Sequence, residues 1–576
     1  MGKRILGILK PFWYHVILLF FLSFITVVTS LYTPILIGKG IDHIIGEGQV
    51  EFDQLVHMIL QFFALIGITA LTQWCVNLIA NSITYRVVSK LRIQSFRHMQ
   101  KLPVSFMDSH KSGDAISRIT TDIDQFSDGL LMAFTQLFTG VLTIIGTLIF
   151  MLFIHPGIML LVVGITPLSF LFASLIARKT YFLFKEQSVA RGKLTSLADE
   201  MIGNQHVVKA FGREGKEEED FGVLNEALRD SSIRATFLSS IVNPSTRFIN
   251  GLVYTGVCIY GAFVSIGGGI TIGQLASFMN YANQYTKPFN EISGVVTELQ
   301  NALACIGRVF EFLDFEEELP DSFAAHQLER PKGEVEFRQV SFSYDEKKPF
   351  IEELNISSHK GDRIALVGPT GCGKTTLINL IMRFYEVDKG QILVDQYNTK
   401  ELTRMSLRNG IGMVLQDTWL KKGTIAENIA YGKPDATMDE IIQAAKLSFA
   451  HNFIERMQEK YNTIIDENDG NISQGQKQLL CIARVFLMKP PILILDEATS
   501  SIDTRTELKV QKALEKLMEN RTSFVVAHRL STIKEANVIL VMKDGHIIER
   551  GTHKELLDKE DGFYKKLYQS QFALDL

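Results

Sequence analysis

Six long apolar segments occupy most of the first 300 residues and restrict what this chain can fold into. Each is close to the roughly 20 residues that a helix needs to cross a hydrocarbon layer about 30 Å thick. Helices of soluble proteins rarely run so long without a charge, and the first segment is too long for a cleavable signal peptide. The segments cover residues 12–37, 55–83, 130–154, 158–183, 241–266 and 270–289. We therefore predict an all-α membrane domain of six spans within residues 1–315.

The charges between these segments predict the orientation in the membrane. Residues 38–51, after the first segment, are mainly acidic. Basic residues precede the first segment and fill the connection between the second and the third: Lys3, Arg4, Lys10, Arg86, Lys90, Arg92, Arg97, Lys101 and Lys111. Basic connections stay on the cytoplasmic side. Because six is an even number, both termini are expected in the cytoplasm of a multi-pass protein of the cell membrane, with lipids around the spans.

The cytoplasmic connections are long and helical in pattern. Residues 182–240 are charged, contain no proline and few glycines. A helix over residues 221–268 would reach about 70 Å at 1.5 Å per residue, roughly twice the hydrocarbon thickness. We expect these helices to project well into the cytoplasm.

Composition excludes several classes of protein. The chain has 576 residues, with 59 basic against 63 acidic side chains and a formal charge of −4. A nucleic-acid binder normally shows a basic excess, so no nucleic-acid partner is expected. The five cysteines are scattered and form no C-x-x-C pair, which argues against a disulfide framework or a zinc site.

The pattern changes after residue 315. Residues 316–332 are acidic at first and then flanked by Pro320 and Pro331, which predicts a linker. From residue 333 to 576, short β-rich runs alternate with helical stretches. That alternation predicts an α/β domain built on a largely parallel sheet.

A glycine-rich loop in this second domain predicts nucleotide binding. Residues 368–375 fit the pattern G-x-x-x-x-G-K-[ST], after a β run and before a helical stretch. Successive backbone N–H groups of such a loop point at phosphate oxygens, and the helix N-terminus adds its dipole. We expect Lys374 to reach the β- and γ-phosphates of ATP, and Thr375 to bind Mg²⁺. The full predicted set is Gly368, Pro369, Thr370, Gly371, Cys372, Gly373, Lys374, Thr375 and Thr376.

Two carboxylates follow a second apolar strand. Residues 492–495 are Ile-Leu-Ile-Leu, and Asp496 and Glu497 come next. The strand would deliver Asp496 to the metal or its surroundings, and Glu497 would polarise the attacking water in phosphoryl transfer. His528 follows a further strand, and whether it has a functional role depends on these neighbouring motifs.

These motifs stand in the order of an ATP-binding cassette. With six spans in the same chain, the whole resembles a half-transporter of the ABC exporter family, of the type IV architecture, among its multidrug and lipid exporters. The resemblance covers nearly the entire chain. It rests on residues 368–375, Gln416, residues 472–476, Asp496 with Glu497, residues 500–503 and His528.

The resemblance implies further roles. Tyr344 resembles the aromatic residue that stacks on adenine, Gln416 the glutamine that touches Mg²⁺, and His528 the histidine that contacts the γ-phosphate. Asp503 resembles the aspartate that crosses the dimer interface, and residues 105–111 and 211–217 resemble two coupling helices. The signature peptide, which closes on ATP held by the opposite subunit, corresponds to Ser473, Gln474, Gly475 and Gln476 after Ile472.

The signature peptide departs from the family pattern, which is Leu-Ser-Gly-Gly-Gln. Here Gln474 replaces a glycine, and glycine allows close backbone approach. Glu497 and His528 are intact. This combination resembles one subunit of a heterodimeric exporter, with a homodimer as the alternative.

The resemblance implies an ATPase that exports hydrophobic or amphipathic compounds of the multidrug type, together with a second half-transporter. A lipid or lipopeptide flippase of the same architecture is the first alternative, and an ATP-gated channel or regulator is the second. The sequence does not name the substrate.

Overall fold

The chain folds into two compact units in the computed structural model. Unit 1 comprises residues 1–100 and 112–315, and unit 2 comprises residues 101–111 and 316–576. The structure describes residues 1–44, 50–110, 112–329, 331–345, 348–416, 418–466, 472–496, 503–526 and 533–572. The side chains of residues 168–175, 177–178, 242–243, 246, 289–291, 293 and 571–572 lie outside this description.

Unit 1 contains helices and no strand among its described residues. The helices up to residue 313 are α1 Gly2–Leu9, α2 Trp13–Asp42, α3 Phe52–Met99, α4 Val104–Ser109, α5 Ser112–Ser117, α6 Ile123–Met132, α7 Phe138–Ile154, α8 Pro156–Gly203, α9 Gln205–Ala210, α10 Glu214–Ile266 and α11 Ile272–Leu313. Of these, only α4 belongs to unit 2. Two π-helical turns, Arg118–Asp122 and Ala133–Leu137, connect α5, α6 and α7 into one helical stretch.

The predicted apolar segments lie in these helices, and the prediction of a helical membrane domain is confirmed. Four described stretches are long and apolar enough to cross a membrane: Gly2–Asp42, Phe52–Met99, Ser112–Ile154 and Arg247–Ile266, with a shorter apolar helix at Pro156–Pro167. The 53-residue helix α10 is about 80 Å long, which is close to the length of about 70 Å predicted for a helix over residues 221–268.

Helices α2 and α11 meet backbone to backbone at one end. A Cβ atom on Gly38 or Gly273 would overlap a carbonyl group of the other residue. Asp42 accepts hydrogen bonds from the N–H of Gly273 (2.7 Å) and the hydroxyl of Thr271 (2.6 Å), which caps the start of α11. The two glycines therefore set how closely these helices approach.

Ion pairs join helices at the other end of unit 1. Arg4 forms two hydrogen bonds with Asp314, of 2.8 and 2.7 Å. Arg308 of α11 likewise holds Asp122 through two contacts of 2.9 and 2.5 Å. Charged side chains are thus paired at the basic, cytoplasmic end predicted from the sequence.

Unit 2 contains two main sheets. Its strands are β1 Val335–Phe342, β2 Ile351–Ser358, β3 Arg363–Val367, β4 Lys389–Val394, β5 Tyr397–Asn398, β6 Ile411–Val414, β7 Gly423–Thr424, β8 Ile464–Ile465, β9 Ile492–Asp496, β10 Thr522–Val526, β11 Val538–Lys543 and β12 His546–Gly551. A six-stranded sheet has the order β12-β11-β3-β10-β9-β6, and its strands run parallel except for β12. The predicted parallel sheet is present.

The second sheet is antiparallel and was not predicted. Its order is β2-β1-β4-β5, and β7 pairs with β8 separately. Strand β2 buries one face only, with exposed residues between buried ones, as antiparallel strands do. Such short alternating runs are less conspicuous in a sequence than the fully buried β3 and β9.

Helices flank the sheets in three hydrophobic clusters. They are α12 Lys374–Ile381, α13 Arg404–Asn409, α14 Ile425–Ile429, α15 Met438–Leu447, α16 His451–Ile454, α17 Gln474–Met488, α18 Thr504–Met518, α19 His553–Leu557 and α20 Phe563–Phe572. Helix α12 packs in a cluster with both sheets, whereas α14, α15, α17 and α18 pack in a second cluster on the β6–β9 side.

Residues 316–329 follow the surface of unit 2. The guanidinium group of Arg404, which is buried, donates to the carbonyl of Leu319 (2.6 Å) and to the carboxylate of Asp321 (2.8 Å). The N–H of Glu318 donates to the carbonyl of Lys101 (2.8 Å), just before α4. Backbone contacts thus tie this segment to α4.

Candidate nucleotide site

The candidate site lies along one edge of the six-stranded sheet. Val526 of β10 is opposite Leu366 of β3 and Asp496 of β9, and Val414 of β6 is opposite Leu495 of β9. Because these strands are parallel neighbours, their carboxyl ends share one edge, where ligands bind in open α/β sheets. The glycine-rich loop and Gln416 follow the ends of β3 and β6, and Asp496 is the last residue of β9. Glu497 comes directly after β9 in sequence and His528 two residues after β10, but both lie outside the described residues.

The loop between β3 and α12 needs glycine at specific positions. Gly371 and Gly373 have φ angles of +83° and +107°, where other residues are strained. A Cβ atom on Gly368 would overlap the carbonyl oxygen of Met542 in β11. The loop can therefore curl tightly at the start of α12, as a phosphate-binding backbone requires.

Lys374 is held inside this loop. It is 9% exposed, and its ammonium group donates to the carbonyls of Gly368 (2.7 Å) and Pro369 (3.0 Å). The sulfur of Cys372 lies 3.7 Å from the same nitrogen, and Cys372 is only 3% exposed. The ammonium group is thus positioned by the loop that it would serve.

The remaining loop residues divide by exposure. Pro369, Thr370 and Thr375 are exposed, whereas Thr376 is buried. The Thr376 hydroxyl lies 3.0 Å from that of Tyr344. The hydroxyl of Thr375 is therefore accessible to a ligand, while Thr376 helps to fix the aromatic residue beside the loop.

Tyr344 lies in an aromatic cluster next to α12. Its ring centroid is 4.9 Å from that of Phe342, 5.2 Å from that of Tyr385 and 5.9 Å from that of Phe350. Tyr344 remains 54% exposed. An exposed ring beside a phosphate loop can stack on an adenine base.

Tyr385 is a residue that the sequence analysis missed. Its hydroxyl donates to the carboxylate of Asp108 in α4 (2.5 Å). Burial, and then this hydrogen bond, raise the pKa of Tyr385 above its ordinary value, so it stays protonated. The predicted coupling helix around Asp108 is thereby joined to the aromatic cluster around Tyr344. Nothing in the spacing of these residues indicates the contact.

The signature peptide forms the start of α17. Ser473 accepts a hydrogen bond from the N–H of Gln476 (3.3 Å), and the Gln476 side chain accepts one from Ser473, which makes a capping box. Gln474 is the first helical residue, so this glutamine requires no left-handed backbone. Its amide donates to the hydroxyl of Thr418 (3.0 Å), two residues after Gln416. Gly475 is buried.

Asp503 caps the next helix. Its carboxylate accepts the N–H of Thr506 (2.9 Å) at the start of α18. Hydrogen bonding to Thr506 lowers the pKa of Asp503 below its ordinary value. The residue therefore has a local structural role in addition to any role at an interface.

Comparisons with known proteins agree over both units. Residues 16–289 match the ABC transporter transmembrane region, and residues 351–500 match the ABC transporter family of ATP-binding domains. An uncharacterised ABC transporter ATP-binding protein of Bacillus subtilis, YfiC, is 39% identical over 99% of this chain and 95% of its own length.

Two further relatives carry functional names. A fatty acid ABC transporter ATP-binding/permease protein of Mycobacterium tuberculosis is 40% identical over 92% of this chain and 83% of that protein. A putative multidrug export ATP-binding/permease protein of Bacillus subtilis, YgaD, is 35% identical over 99% of both.

A solved structure of a bacterial Atm1-family ABC exporter with ATP bound is also similar. The TM-score is 0.77 at 27% identity, covering 98% of this chain and 99% of the other. The chain thus belongs to the ABC transporter family, as a type IV half-transporter with several membrane spans and a cytoplasmic domain that binds and hydrolyses ATP.

Proposed function

We propose that this chain is one half of a dimeric exporter that uses ATP to move hydrophobic or amphipathic compounds of the multidrug type out of the cell. The named relatives support an exporter of drugs or of fatty acids. A lipid flippase of the same architecture is the second candidate, favoured by the fatty acid transporter among those relatives. An ATP-gated channel is the third, and the experiment below separates it.

The observation that carries the ATPase half of the proposal is the shared sheet edge. The phosphate loop and Gln416 follow two strands of one parallel sheet and Asp496 ends a third, which supports a common ligand region at this edge. In this proposal, the loop N–H groups and Lys374 bind the phosphates, and Tyr344 stacks on adenine. Glu497 polarises the attacking water, and His528 contacts the γ-phosphate.

The same edge offers oxygen ligands suited to Mg²⁺. Thr375 and Gln416 are exposed, and Asp496 ends β9. Hydroxyl, amide and carboxylate oxygens are ligands of hard divalent cations, and Mg²⁺ usually needs only one or two carboxylates besides phosphate and water. No cluster of three or more His, Cys, Asp or Glu side chains occurs among the described residues. When bound with ATP, Mg²⁺ would neutralise charge on the phosphates.

The exporter works as a dimer, since ABC exporters do, and we propose that the partner is a different chain. Ser473 and Gly475 would close on ATP held by the partner, and Asp503 would cross to it. Gln474 stands where the family pattern has glycine, while Glu497 and His528 are intact. Such a chain suits a heterodimer in which its altered signature faces the less active site.

Transport in reconstituted vesicles tests the exporter proposal. ATP is added outside inside-out proteoliposomes, and uptake of an uncharged amphipathic dye is followed by fluorescence. We expect ATP-dependent uptake in the wild type and none with Glu497→Gln, which keeps the phosphate loop. Glu352→Gln, which changes an exposed carboxylate on β2, is the control.

The outcomes separate the three candidates. Dye flux down its gradient that persists with Glu497→Gln would favour a channel. ATP-dependent movement of labelled lipid between leaflets, without dye uptake, would favour a flippase. Hydrolysis at the wild-type rate by Glu497→Gln would remove Glu497 from its proposed role.

Mass measurement of the purified complex tests the heterodimer. A native complex of two different chains is expected, and Gln474→Gly should then change ATPase activity by less than about twofold. An active complex of two copies of this chain would overturn the heterodimer, and in that case Gln474→Gly should raise activity because both sites change.

A further inference from the structure

A polar cavity of about 520 Å³ lies within unit 1, between helices α2, α3, α7 and α11. Its walls are unusual for a membrane domain. Apart from Val27, Ile66 and Ala70, every side chain that lines it carries a hydroxyl or an amide group. No ionisable side chain lines it among the residues that the structure describes. The volume falls in the range of small-molecule sites.

The cavity lies at mid-membrane depth. Taking 1.5 Å per residue from the ends of the helices at Asp42, Phe52, Ile154 and Ile272, the lining residues Thr33, Gln73, Thr143 and Gln284 are about 14, 32, 17 and 18 Å along their helices. These depths fall within, or at the far boundary of, a hydrocarbon layer about 30 Å thick. The hydroxyl and amide groups of the walls therefore lie at the level of the lipid chains.

The threonine hydroxyls present oxygen lone pairs to this space. Thr33 and Thr143 donate to carbonyls one turn earlier in their own helices, at 3.1 and 2.8 Å. A hydroxyl has only one hydrogen to donate, so these groups act as acceptors towards a ligand. The walls thus favour a ligand that donates hydrogen bonds.

Two polar atoms at the cavity have no partner. The side-chain oxygens Oε1 of Gln284 and Oγ1 of Thr139 are both inaccessible and both make no hydrogen bond. Both residues line the cavity. A buried polar atom without a partner costs about 1–3 kcal/mol, so a turn of either side chain towards the cavity, where a ligand donates to its oxygen, recovers that cost.

The absence of charge among the lining residues decides which ligands fit. A carboxylate would need a cationic partner or strong donors, and an ion without a partner is costly at this depth. Arg4 is paired with Asp314, and Arg308 is paired with Asp122, at the end of the unit. Neither arginine lines the cavity. A neutral group that donates hydrogen bonds meets its partners in the walls.

We propose that this cavity binds the headgroup of an uncharged amphiphile that donates hydrogen bonds, and that it selects such compounds for export. The second part rests on the proposed function. Fatty acid carboxylates are poor ligands of the site, and esters without donors are poor ligands as well.

Three lipids with the same acyl chain test the selection. 1-Lauroylglycerol donates two hydroxyls, laurate is an anion, and methyl laurate has no donor. In nanodiscs, we expect 1-lauroylglycerol to stimulate ATPase activity at a concentration about tenfold below either of the others. Thr139→Val and Gln284→Leu should each raise that concentration about three- to tenfold, as the loss of one hydrogen bond predicts.

Thr135→Val is the matched control. Thr135 donates to the carbonyl of Leu131 (2.8 Å) on the same helical stretch but does not line the cavity. Its response should equal that of the wild type. Thr139→Val is nearly isosteric and should fold. The effect of losing one cavity oxygen can therefore still be measured if Gln284→Leu does not fold. Equal responses to the three lipids, or equal shifts in the control and cavity variants, would overturn the proposal and leave a cavity for water only.

A direct binding measurement separates this proposal from the function on which part of it rests. A diazirine derivative of 1-lauroylglycerol is cross-linked to the full chain, and labelled peptides are identified. Labelling at residues 139–143 or 284 that unlabelled 1-lauroylglycerol prevents supports the site even if dye transport fails. Dye transport with no labelling in α2, α3, α7 or α11 overturns the site and leaves the exporter proposal standing.

Discussion

The phosphate loop of unit 2 and the cavity of unit 1 differ in whether their buried polar atoms have hydrogen-bond partners. In the loop, the ammonium group of Lys374 donates to two carbonyls within 3.0 Å. In the cavity, Gln284 and Thr139 each leave an oxygen without a partner. The loop is a rigid backbone site that its own lysine holds together, whereas the cavity is shaped by side chains. The cavity variants described above test the second half of this contrast, and the substitutions below test the loop and other contacts of the two units.

The largest effect is expected in the loop itself. Lys374→Ala removes the one ammonium group that the loop holds, and with it the charge opposite the phosphates. ATPase activity should fall on the order of 100-fold or more, as with other preorganised charges, and binding of a fluorescent ATP analogue should weaken.

Lys389→Ala, at an exposed position in β4, should leave both measurements unchanged. If Lys374→Ala hydrolysed ATP normally, the phosphate site would have to be sought elsewhere.

The next effect tests helix packing in unit 1. Gly273→Ala introduces a methyl group against the backbone of Gly38, where nothing can yield cheaply. Overpacking of this kind costs about 1–3 kcal/mol or more, so the thermal midpoint in detergent should fall by roughly 5 °C.

Gly67→Ala in α3 is the control, because its added Cβ has no atom within 4 Å. Equal midpoints for the two variants would show that α2 and α11 separate more easily than this contact implies.

A smaller effect is expected at α4. Tyr385→Phe removes the hydrogen bond to Asp108 while keeping the ring. Hydrogen bonds to charged groups contribute about 1.5–3 kcal/mol, so amide exchange in residues 104–109 should become about tenfold faster.

Tyr397→Phe, at a half-exposed ring in β5, should not change that exchange. Unchanged exchange in Tyr385→Phe would mean that packing alone holds α4 in place.

The smallest effect concerns Asp503. Asp503→Ala removes the cap of α18 and should lower the thermal midpoint by roughly 1–3 °C, whereas asparagine caps equally well and Asp503→Asn should not. A loss of ATPase activity in Asp503→Asn at normal stability would indicate a role at the dimer interface.

The pH dependence of this cap has a definite sign. Because the pKa of Asp503 is lowered on folding, its charge stabilises the fold above its unfolded-state pKa, near 3.8. That contribution is lost as the pH falls through the lowered pKa. The stability difference between wild type and Asp503→Ala should therefore be constant from pH 6 to 8 and shrink only in acid.

Motifs with fixed spacing were readable from the sequence because each position has its own requirement. The loop at residues 368–375 needs glycine at positive φ and a lysine after it, and these residue types are visible without a structure. Strands β3 and β9 were predictable because both their faces are buried.

Contacts between distant segments were not readable. The bonds from Tyr385 to Asp108 and from Gln474 to Thr418 join residues 277 and 56 positions apart, and neither pair has a characteristic spacing. The cavity depends on which faces of four helices meet. Hydropathy treats threonine as nearly neutral, so Thr33, Thr69 and Thr143 do not stand out in an apolar segment.

Helix α4 belongs to unit 2 although its residues lie between two membrane spans in the sequence. During synthesis the ribosome makes α4 more than 200 residues before Tyr385, so α4 waits for the rest of its unit. An ATPase fragment that starts at residue 333 lacks α4 altogether. Tyr385 then loses its acceptor, Asp108, and its hydroxyl is left without this hydrogen bond. Such a fragment is expected to be less stable than the ATPase unit within the intact chain.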